Sequence, residues 1–592
     1  MRHLVPLLAV LSVLPSVAQA QWSSDPAQNL RVVDRVNEQT QPKLASTEDG
    51  GFYLSWFDND PSGSPAFGYD VYLQRFDATG AEQWTHDGIR IADLGLSSTV
   101  DYDLAVDTFG DALVTFQDDR PTGVQITVAR VDASGTQVWG ASGVQLTSTT
   151  DFVANPKVVG TSDGDIVVAW IQGSSVHVQR LDSSGATLWS PEIVLTPGAG
   201  SYSTADLDAT DSGECILSLV HSTGGFSAPR HLLAQKYDAS GSSLWGVSPL
   251  SVFDGGSLQF GNFPQFVTDD NGGGVFAWYS ASPSLQCFAQ RVDSGGSELF
   301  PHNGSAVATG TSTLRVEPAL SYDPDSESTY VFWVEKNSTQ SQSGVGGQRF
   351  DASGVRQWGA NGKTLVPLGT SAIASMRSLV LGDRVAASWT SAPSFGQDVA
   401  RVALLDTAGT LVLPIFPLAS TPSVKFRFEA ETSTYGFGIF VWRDERGADP
   451  DLYVQDLFPN GTLGGLAEVA TRNGLGANVV CFTSLTSPRI GTSWNTQVSH
   501  AHHAGATSTV VIGRSSPYNG PLQAYGRTRA GQLLIGGTQL FRDTVVSSGS
   551  ADAHSLAIPL DLGLVGTTFS AQALILGGVL EYTNALDVAI GL

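Results

Sequence analysis

The chain has 592 residues, 41% hydrophobic and 15% charged, and its 56 acidic against 31 basic side chains leave a formal net charge of −25. That excess of acid excludes nucleic acid as a partner, because phosphate binding needs a basic footprint. With 65 Gly and 13 Trp the composition fits neither a disordered chain nor a helical bundle, and beyond residue 20 no apolar run approaches the roughly 20 residues of a spanning helix.

Arg2 and His3 precede an apolar run from Leu4 to Val17, and Ala18-Gln19-Ala20 supplies a small-x-small cleavage pattern. Residues 1–20 therefore read as a secretory signal peptide, which predicts a secreted protein, extracellular or cell-surface associated. Trp22 to Asp34 follows, ending in Asn29-Leu30-Arg31-Val32-Val33-Asp34. It is similar to the later segment Gly88-Ile89-Arg90-Ile91-Ala92-Asp93, with Trp22 placed as Trp84 is. Such a lone strand ahead of a repeat array could complete the last unit and seal a ring.

The array comes next. Gln74-Arg75-Phe76-Asp77-Ala78-Thr79-Gly80, followed by Trp84, returns around Asp132, Asp182, Asp238, Asp293, Asp351 and Asp406, and in worn form around Phe458. Successive spacings are 55, 50, 56, 55, 58, 55 and 52 residues. A second marker keeps step: Gly50, Gly110, Gly164, Gly213, Gly272 and Gly436 each precede by six residues an apolar residue, most often Trp, in a strand pattern. Each unit carries four short strand signals; in the third they are Lys157–Val159, Ile166–Trp170, Val176–Leu181 and Ile193–Leu195. Four strands at this period predict an all-β fold, a β-propeller of eight blades with seven as the alternative, over residues 21–470. In the Asp-x-x-Gly turn Asp accepts backbone N–H bonds and Gly takes positive φ, while the following Trp packs against a neighbouring blade.

Trp442-Arg443-Asp444-Glu445-Arg446-Gly447 with Asp451-Leu452-Tyr453-Val454-Gln455, and Trp56, Asp58, Asp70, Tyr72, Gln74 and Arg75 in the first unit, resemble the W-x-D-x-R…D-x-Y-x-Q-R units of secreted bacterial propeller proteins. The Asp-x-x-Gly-x-x-x-Trp turn is also similar to the Trp-docking motif of eight-bladed quinoprotein dehydrogenases, differing by one residue, and to the sialidase Asp-box. There is no adjacent cysteine pair, and Arg489-Ile490 is followed by Gly491 where sialidases have Pro. These resemblances imply a fold and transfer no activity.

From residue 471 to 592 the repeat stops. This segment has 6 Arg, no Lys and 5 acidic residues, so the acidity belongs to the array. Strand-like runs at Ser508–Ile512, Gln532–Ile535, Leu556–Leu560, Phe569–Leu576 and Leu586–Ile590 predict an antiparallel β-sandwich. Pro488-Arg489-Ile490-Gly491-Thr492, Gly566-Thr567-Thr568-Phe569 and Thr583-Asn584-Ala585-Leu586 resemble a module that ends many secreted proteins of environmental bacteria, which suits sorting or surface attachment. Cys215, Cys287 and Cys481 are too few for a disulfide framework and read as buried thiols.

Three patterns invite chemistry. Gly160-Thr161-Ser162-Asp163-Gly164 matches G-x-S-x-G but lies in a hairpin turn with no helix to make a nucleophile elbow. His500-Ala501-His502-His503 could offer imidazoles to a metal, although an exposed loop explains it as well. Asp58, Asp60 and Ser62, with Gly63, copy the first half of a calcium loop but have Tyr69 where the bidentate Glu belongs; Asp323, Asp325 and Glu327 form a second alternating set. Calcium is one reading and acidic loops paired with Arg between blades the other; no cofactor is required. With no site residue standing out from the repeat, the expectation is a non-catalytic scaffold presenting an acidic disc to extracellular protein or glycan. The alternative is a carbohydrate-active hydrolase or lyase acting at the central channel. Carboxylates clustered there with Arg or Tyr favour the enzyme, and small apolar side chains favour the scaffold.

Overall fold

The computed structural model describes residues 22–59, 68–96, 100–121, 123–261, 264–282, 284–503, 505–525 and 529–592. The signal segment, and Asp60 and Ser62 of the calcium-like loop, lie outside the described residues. The described chain is all-β, with only two short 3-10 turns, Asp211–Gly213 and Leu562–Leu564, and no α-helix. Among the described residues no helix is long and apolar enough to cross a membrane.

Residues 30–457 form eight antiparallel sheets with an up-and-down strand order. The first contains Gln39–Ser46, Phe52–Asp58, Tyr69–Phe76 and Ile89–Leu96; the fifth differs in that its first strand is split into Ser257–Leu258 and Gln265–Thr268. The first strand of each sheet touches the first strands of the sheets before and after, and Lys425–Thr432 of the eighth returns to Gln39–Ser46 of the first. The sheets thus stand in a closed circle around a central channel. Their second strands are covered on both faces, which is why Phe52–Asp58 is buried at every position and reads as a continuous apolar run.

The eighth sheet has only three strands of its own, Lys425–Thr432, Gly438–Asp444 and Asp451–Leu457. Its fourth is Leu30–Val33, paired antiparallel with Leu30 opposite Val454. The circle is sealed by hydrogen bonds between the two ends of the array, leaving no open sheet edge at the junction.

The recurring turns show why the repeat is kept. Asp77 Oδ1 accepts the N–H groups of Thr79 and Ala81 at 2.9 and 3.1 Å, and the same pair of bonds recurs at Asp132, Asp182, Asp238, Asp293, Asp351 and Asp406. The Gly of each turn has positive φ and lies bare against an aromatic ring of the preceding sheet: Gly135 on Trp84, Gly241 on Trp189, Gly409 on Trp358. Each of those indoles donates its N–H to a carbonyl in the turn it covers, at 3.0 to 3.1 Å. At the worn positions Phe300 and Leu413 cover Gly354 and Gly461 without that bond.

Acidic residues of the turns between first and second strands tie neighbouring sheets together. Arg130 binds Asp107 and Asp111 at 2.8 and 3.0 Å and donates to Ser183 O of the next sheet. Buried Arg180 pairs with Asp163 and with Asp165, the latter at 2.8 Å, and donates to Gly213 O of the fourth sheet at 2.7 Å. Arg291 joins Asp269 to Glu327 in the same way. Part of the net acidity is therefore structural, matched to arginines of the third strands.

In the tail, Glu468–Arg472, Glu581–Ala589, Thr568–Leu576, Ser508–Pro517 and Ile535–Val546 form one antiparallel sheet, and Phe482–Ser484, Ser493–Ser499 and Ala551–Ala557 another. The strand expected at Leu556–Leu560 ends at Ala557, because Pro559 has no N–H to continue a ladder, and Leu560 is exposed. The tail shares a core with the ring: Trp22, Phe437 and Phe458 belong to one buried cluster with Val565, Phe569 and Ile590. Cys215, Cys287 and Cys481 are buried and unpaired, and burial pushes the Cys215 thiol up to about 12.

Candidate functional site

The channel is lined by the eight first strands, and their pairing registers define one level of it. Lys43, Asp103, Lys157, Asp206, Gln265, Ala319, Arg377 and Glu429 each lie opposite the residue just before the buried landmark of the second strand. Around the ring the charges run plus, minus, plus, minus, two neutral positions, plus, minus. In five of these strands the register slips just before this level at a residue with positive φ, namely Gln41, Asn155, Glu317, Ser375 and Arg427. Such a bulge re-aims the side chains that follow it.

The cations at this level are all committed. Lys43 and Lys157 share Asp101, at 3.3 and 3.0 Å. Against the upward push of burial, the two ammonium groups hold the Asp101 carboxyl well below the usual range, and the nearby carboxylates raise both lysines. Arg377 grips Glu429 of the next sheet through Nε and a terminal nitrogen at 3.1 and 3.0 Å. Buried Tyr102 donates to Gln41 O at 2.7 Å and accepts from Ser55, and its ring packs in the core between the first and second sheets.

The carboxyls further along the same strands have no such matching. Asp208 and Glu431 follow Asp206 and Glu429 by two residues, on the fourth and eighth sheets. Burial first, then the charge of Asp206, pushes Asp208 up to about 7. Burial first, then Asp208 and Glu429, pushes Glu431 up to about 8. The fourth and eighth sheets lie half a turn apart in a ring of eight, so these two carboxyls belong to opposite sides of the circle. Asp206 rises to about 6 through burial, although Lys157 pulls it down, and Asp270 is raised by burial and by Asp269 and Asp211. Asp206, Asp270, Arg377, Glu429 and Glu431 line a cavity of about 690 Å³, with Tyr322 on its wall. That is the size of a small-molecule site. A cavity lined by several carboxyls, one of them pushed up to about 8, offers the groups that general acid and base catalysis requires.

The residues singled out from the sequence lie elsewhere. Asp58 is buried on the second strand of the first sheet, bound to Arg35 at 3.1 Å and to the Trp56 indole at 3.3 Å. Asp323 caps its own turn by accepting from Asp325 N and Ser326 Oγ, while Glu327 turns away to Arg291 at 3.0 Å. Ser162 accepts the Gly213 N–H at 2.9 Å in a turn. The three imidazoles of the tail diverge: His500 to Asp552, His502 to Glu581, both at 3.2 Å, and His503 to Val579 O at 2.9 Å. The channel residues had an overlooked signal. Counting back seven from Gly50, Gly110, Gly164, Gly213, Gly272 and Gly436 gives Lys43, Asp103, Lys157, Asp206, Gln265 and Glu429, charged in five of six cases.

No protein-family model matches the chain, and no curated protein does. Among solved structures it is similar to the polysaccharide lyase Uly1, at 10% identity over 74% of this chain and 98% of that one, with a TM-score of 0.38. An ulvan lyase of polysaccharide lyase family PL25 aligns at 10% identity over 73% of this chain and 96% of that one, TM-score 0.41. The periplasmic gluconolactonase of Pseudomonas aeruginosa aligns at 17% identity over 60% and 96%, TM-score 0.36. All three are enzymes.

The channel overturns the expectation of a non-catalytic scaffold. That reading rested on units so alike that no site residue stood out. The units are alike in their outer turns and unlike in their first strands, where Asp206, Asp270, Arg377, Glu429 and Glu431 stand among the apolar side chains of the lining.

Proposed function

We propose that the protein is a secreted carbohydrate-active hydrolase, an eight-bladed β-propeller with a C-terminal β-sandwich, whose reaction takes place in the central channel. The observation that carries this reading is the cavity in which Asp206, Asp270, Glu429 and Glu431 meet Arg377 and Tyr322, with burial pushing Glu431 up to about 8 and Arg377 holding Glu429. Glu431 enters neutral at pH 7 and can give its proton to a glycosidic oxygen as the bond to the leaving sugar breaks. An ionised carboxylate of the channel can take a proton from water or stabilise the positive charge that develops on the sugar ring. Lysine and arginine hold the ionised members in place.

A hydrolase fits better than a lyase. Eliminating next to a uronate needs a cation to neutralise the substrate carboxylate, and Lys43, Lys157 and Arg377 are already bound to Asp101 and Glu429. The test is to incubate the purified protein with neutral, uronate-containing and sulfated polysaccharides. Release of reducing ends without unsaturated uronate, lost in Glu431→Gln, is the expected result. Unsaturated products, or turnover unaffected by Glu431→Gln, would reject it.

A further inference from the structure

On the outer rim, where the eighth sheet meets the first, Asp34, His86 and Asp87 bring one nitrogen and two carboxylate oxygens within 4.8 Å of one another. Asp34 directly follows the closing strand Leu30–Val33, and His86 and Asp87 precede the fourth strand of the first sheet, Ile89–Leu96. His86 Nε2 is 3.2 Å from Asp34 Oδ1 and 3.7 Å from Asp87 Oδ1. These separations bracket the edge of roughly 3.4 Å that a tetrahedral site has when its ligand bonds are about 2.1 Å long. The other ring nitrogen, Nδ1, is held by both oxygens of Glu82 at 2.9 and 3.1 Å. A carboxylate behind a ligating imidazole fixes the tautomer and directs Nε2 outward, the usual outer-shell arrangement of a metal-bound histidine.

The molecule contains its own control. Between the fourth and fifth sheets, Glu298 holds His302 Nδ1 at 3.1 and 2.9 Å, and His302 Nε2 is 3.2 Å from Asp254 Oδ1. The residue after this histidine is Asn303, whose Oδ1 accepts Asp254 N at 2.7 Å, as Asp87 Oδ1 accepts Asp34 N at 3.1 Å. Both residues have positive φ, 69° and 67°. The two places share one backbone and one histidine clamp and differ by a single carboxylate in the third ligand position.

We propose that Asp34, His86 and Asp87 bind a divalent metal ion of the zinc type, clasping the closing strand to the first sheet. One imidazole and two carboxylates suit zinc better than calcium, which takes six to eight oxygens, and the fourth position is left to water. The ion takes the place of the proton on Nε2, so binding releases that proton and weakens in acid. The site at His302, with an amide in place of the second carboxylate, does not hold the ion.

The test is calorimetric titration of the chelator-treated full-length protein with Zn²⁺, with melting temperature as a second readout. One ion per chain and a raised melting temperature are expected. Asp87→Asn copies the residue found at position 303 and preserves the backbone hydrogen bond, so the fold is kept while the ion is lost. Asn303→Asp is expected to create a second equivalent. Absence of binding, binding that survives Asp87→Asn and His86→Ala, or failure of Asn303→Asp to add an ion would each overturn the proposal. So would loss of binding on replacing His502 and His503, which would place the ion in the tail.

Discussion

Trp22 lies against Gly80, where an added Cβ would meet the indole at 2.9 Å, and donates its ring N–H to Ala78 O at 2.8 Å. The first described residue of the chain thus docks onto the first sheet while Leu30–Val33 completes the eighth, and both contacts close the same seam. Trp22 is 1% exposed, whereas Trp139, at the equivalent place between the second and third sheets, is partly open to solvent. Replacing Trp22 by Ala is expected to cost about 3 kcal/mol or more, and replacing Trp139 clearly less. Chemical denaturation of the two variants checks this; equal losses would deny the seam its special weight.

Arg180 predicts a different kind of failure. Its side chain is 1% exposed and its partners are Asp163, Asp165 and Gly213 O. Arg180→Leu leaves two carboxylates and a carbonyl without their cation and is expected to destabilise by about 3 kcal/mol. Half-buried Arg384, paired with its exposed neighbour Asp383, is expected to cost under about 1 kcal/mol when replaced by Leu. Urea unfolding of both variants gives the comparison.

Glu431 links activity to pH. Its folded value, about 8, lies above its ordinary value of 4.5, so the folded state keeps a proton that the unfolded chain has already lost. Its contribution to stability is complete below 4.5 and is lost as pH rises through 8. Glu431→Gln, which cannot ionise, should melt higher than the parent at pH 9 and not at pH 4. The same variant should lose activity at least 100-fold at neutral pH. Melting curves at the two pH values test the charge effect separately from catalysis.

Asp101 is the counter-ion of Lys43 and Lys157. Asp101→Asn leaves two ammonium groups facing each other, so the melting temperature should fall. High salt should recover part of the loss, since screening relieves like-charge repulsion. A variant that melts like the parent at low salt would show that the lysines have other support.

Removal of residues 468–592 would expose the apolar face that Trp22, Phe437 and Phe458 share with Val565 and Phe569. The truncated ring is expected to aggregate or to melt well below the full chain, as judged by light scattering during heating. Unchanged melting would mean that the ring supplies its own closure.

The repeated turns were legible because their requirements are local. Asp77 must cap its own turn and Gly80 must take positive φ, and these needs recur once per unit wherever a sheet bends. The closing strand was legible for the same reason, since Leu30–Val33 carries the pattern of a fourth strand. The channel was not legible from similarity, because the residue at this level changes from unit to unit: three cations, three anions and two neutral side chains share one register position. Lys43 and Lys157 lie on the first strands of two sheets, with Asp101 just ahead of the first strand of the sheet between them, and they become partners only when those strands converge. The same holds for the rim site: His86 and Asp34 are 52 residues apart along the chain and 3.2 Å apart in space.

By itself the sequence determined an all-β array of some 55-residue units, its acidity and its means of closure, since strand alternation, turn residues and period are short-range properties. Only the tertiary structure decided which charges meet. Burial, and the carboxylates that the ring brings near, push Glu431 and Asp208 above the usual carboxyl range. Neither solvent exclusion nor the proximity of groups from opposite sheets is written in the neighbours of a residue along the chain.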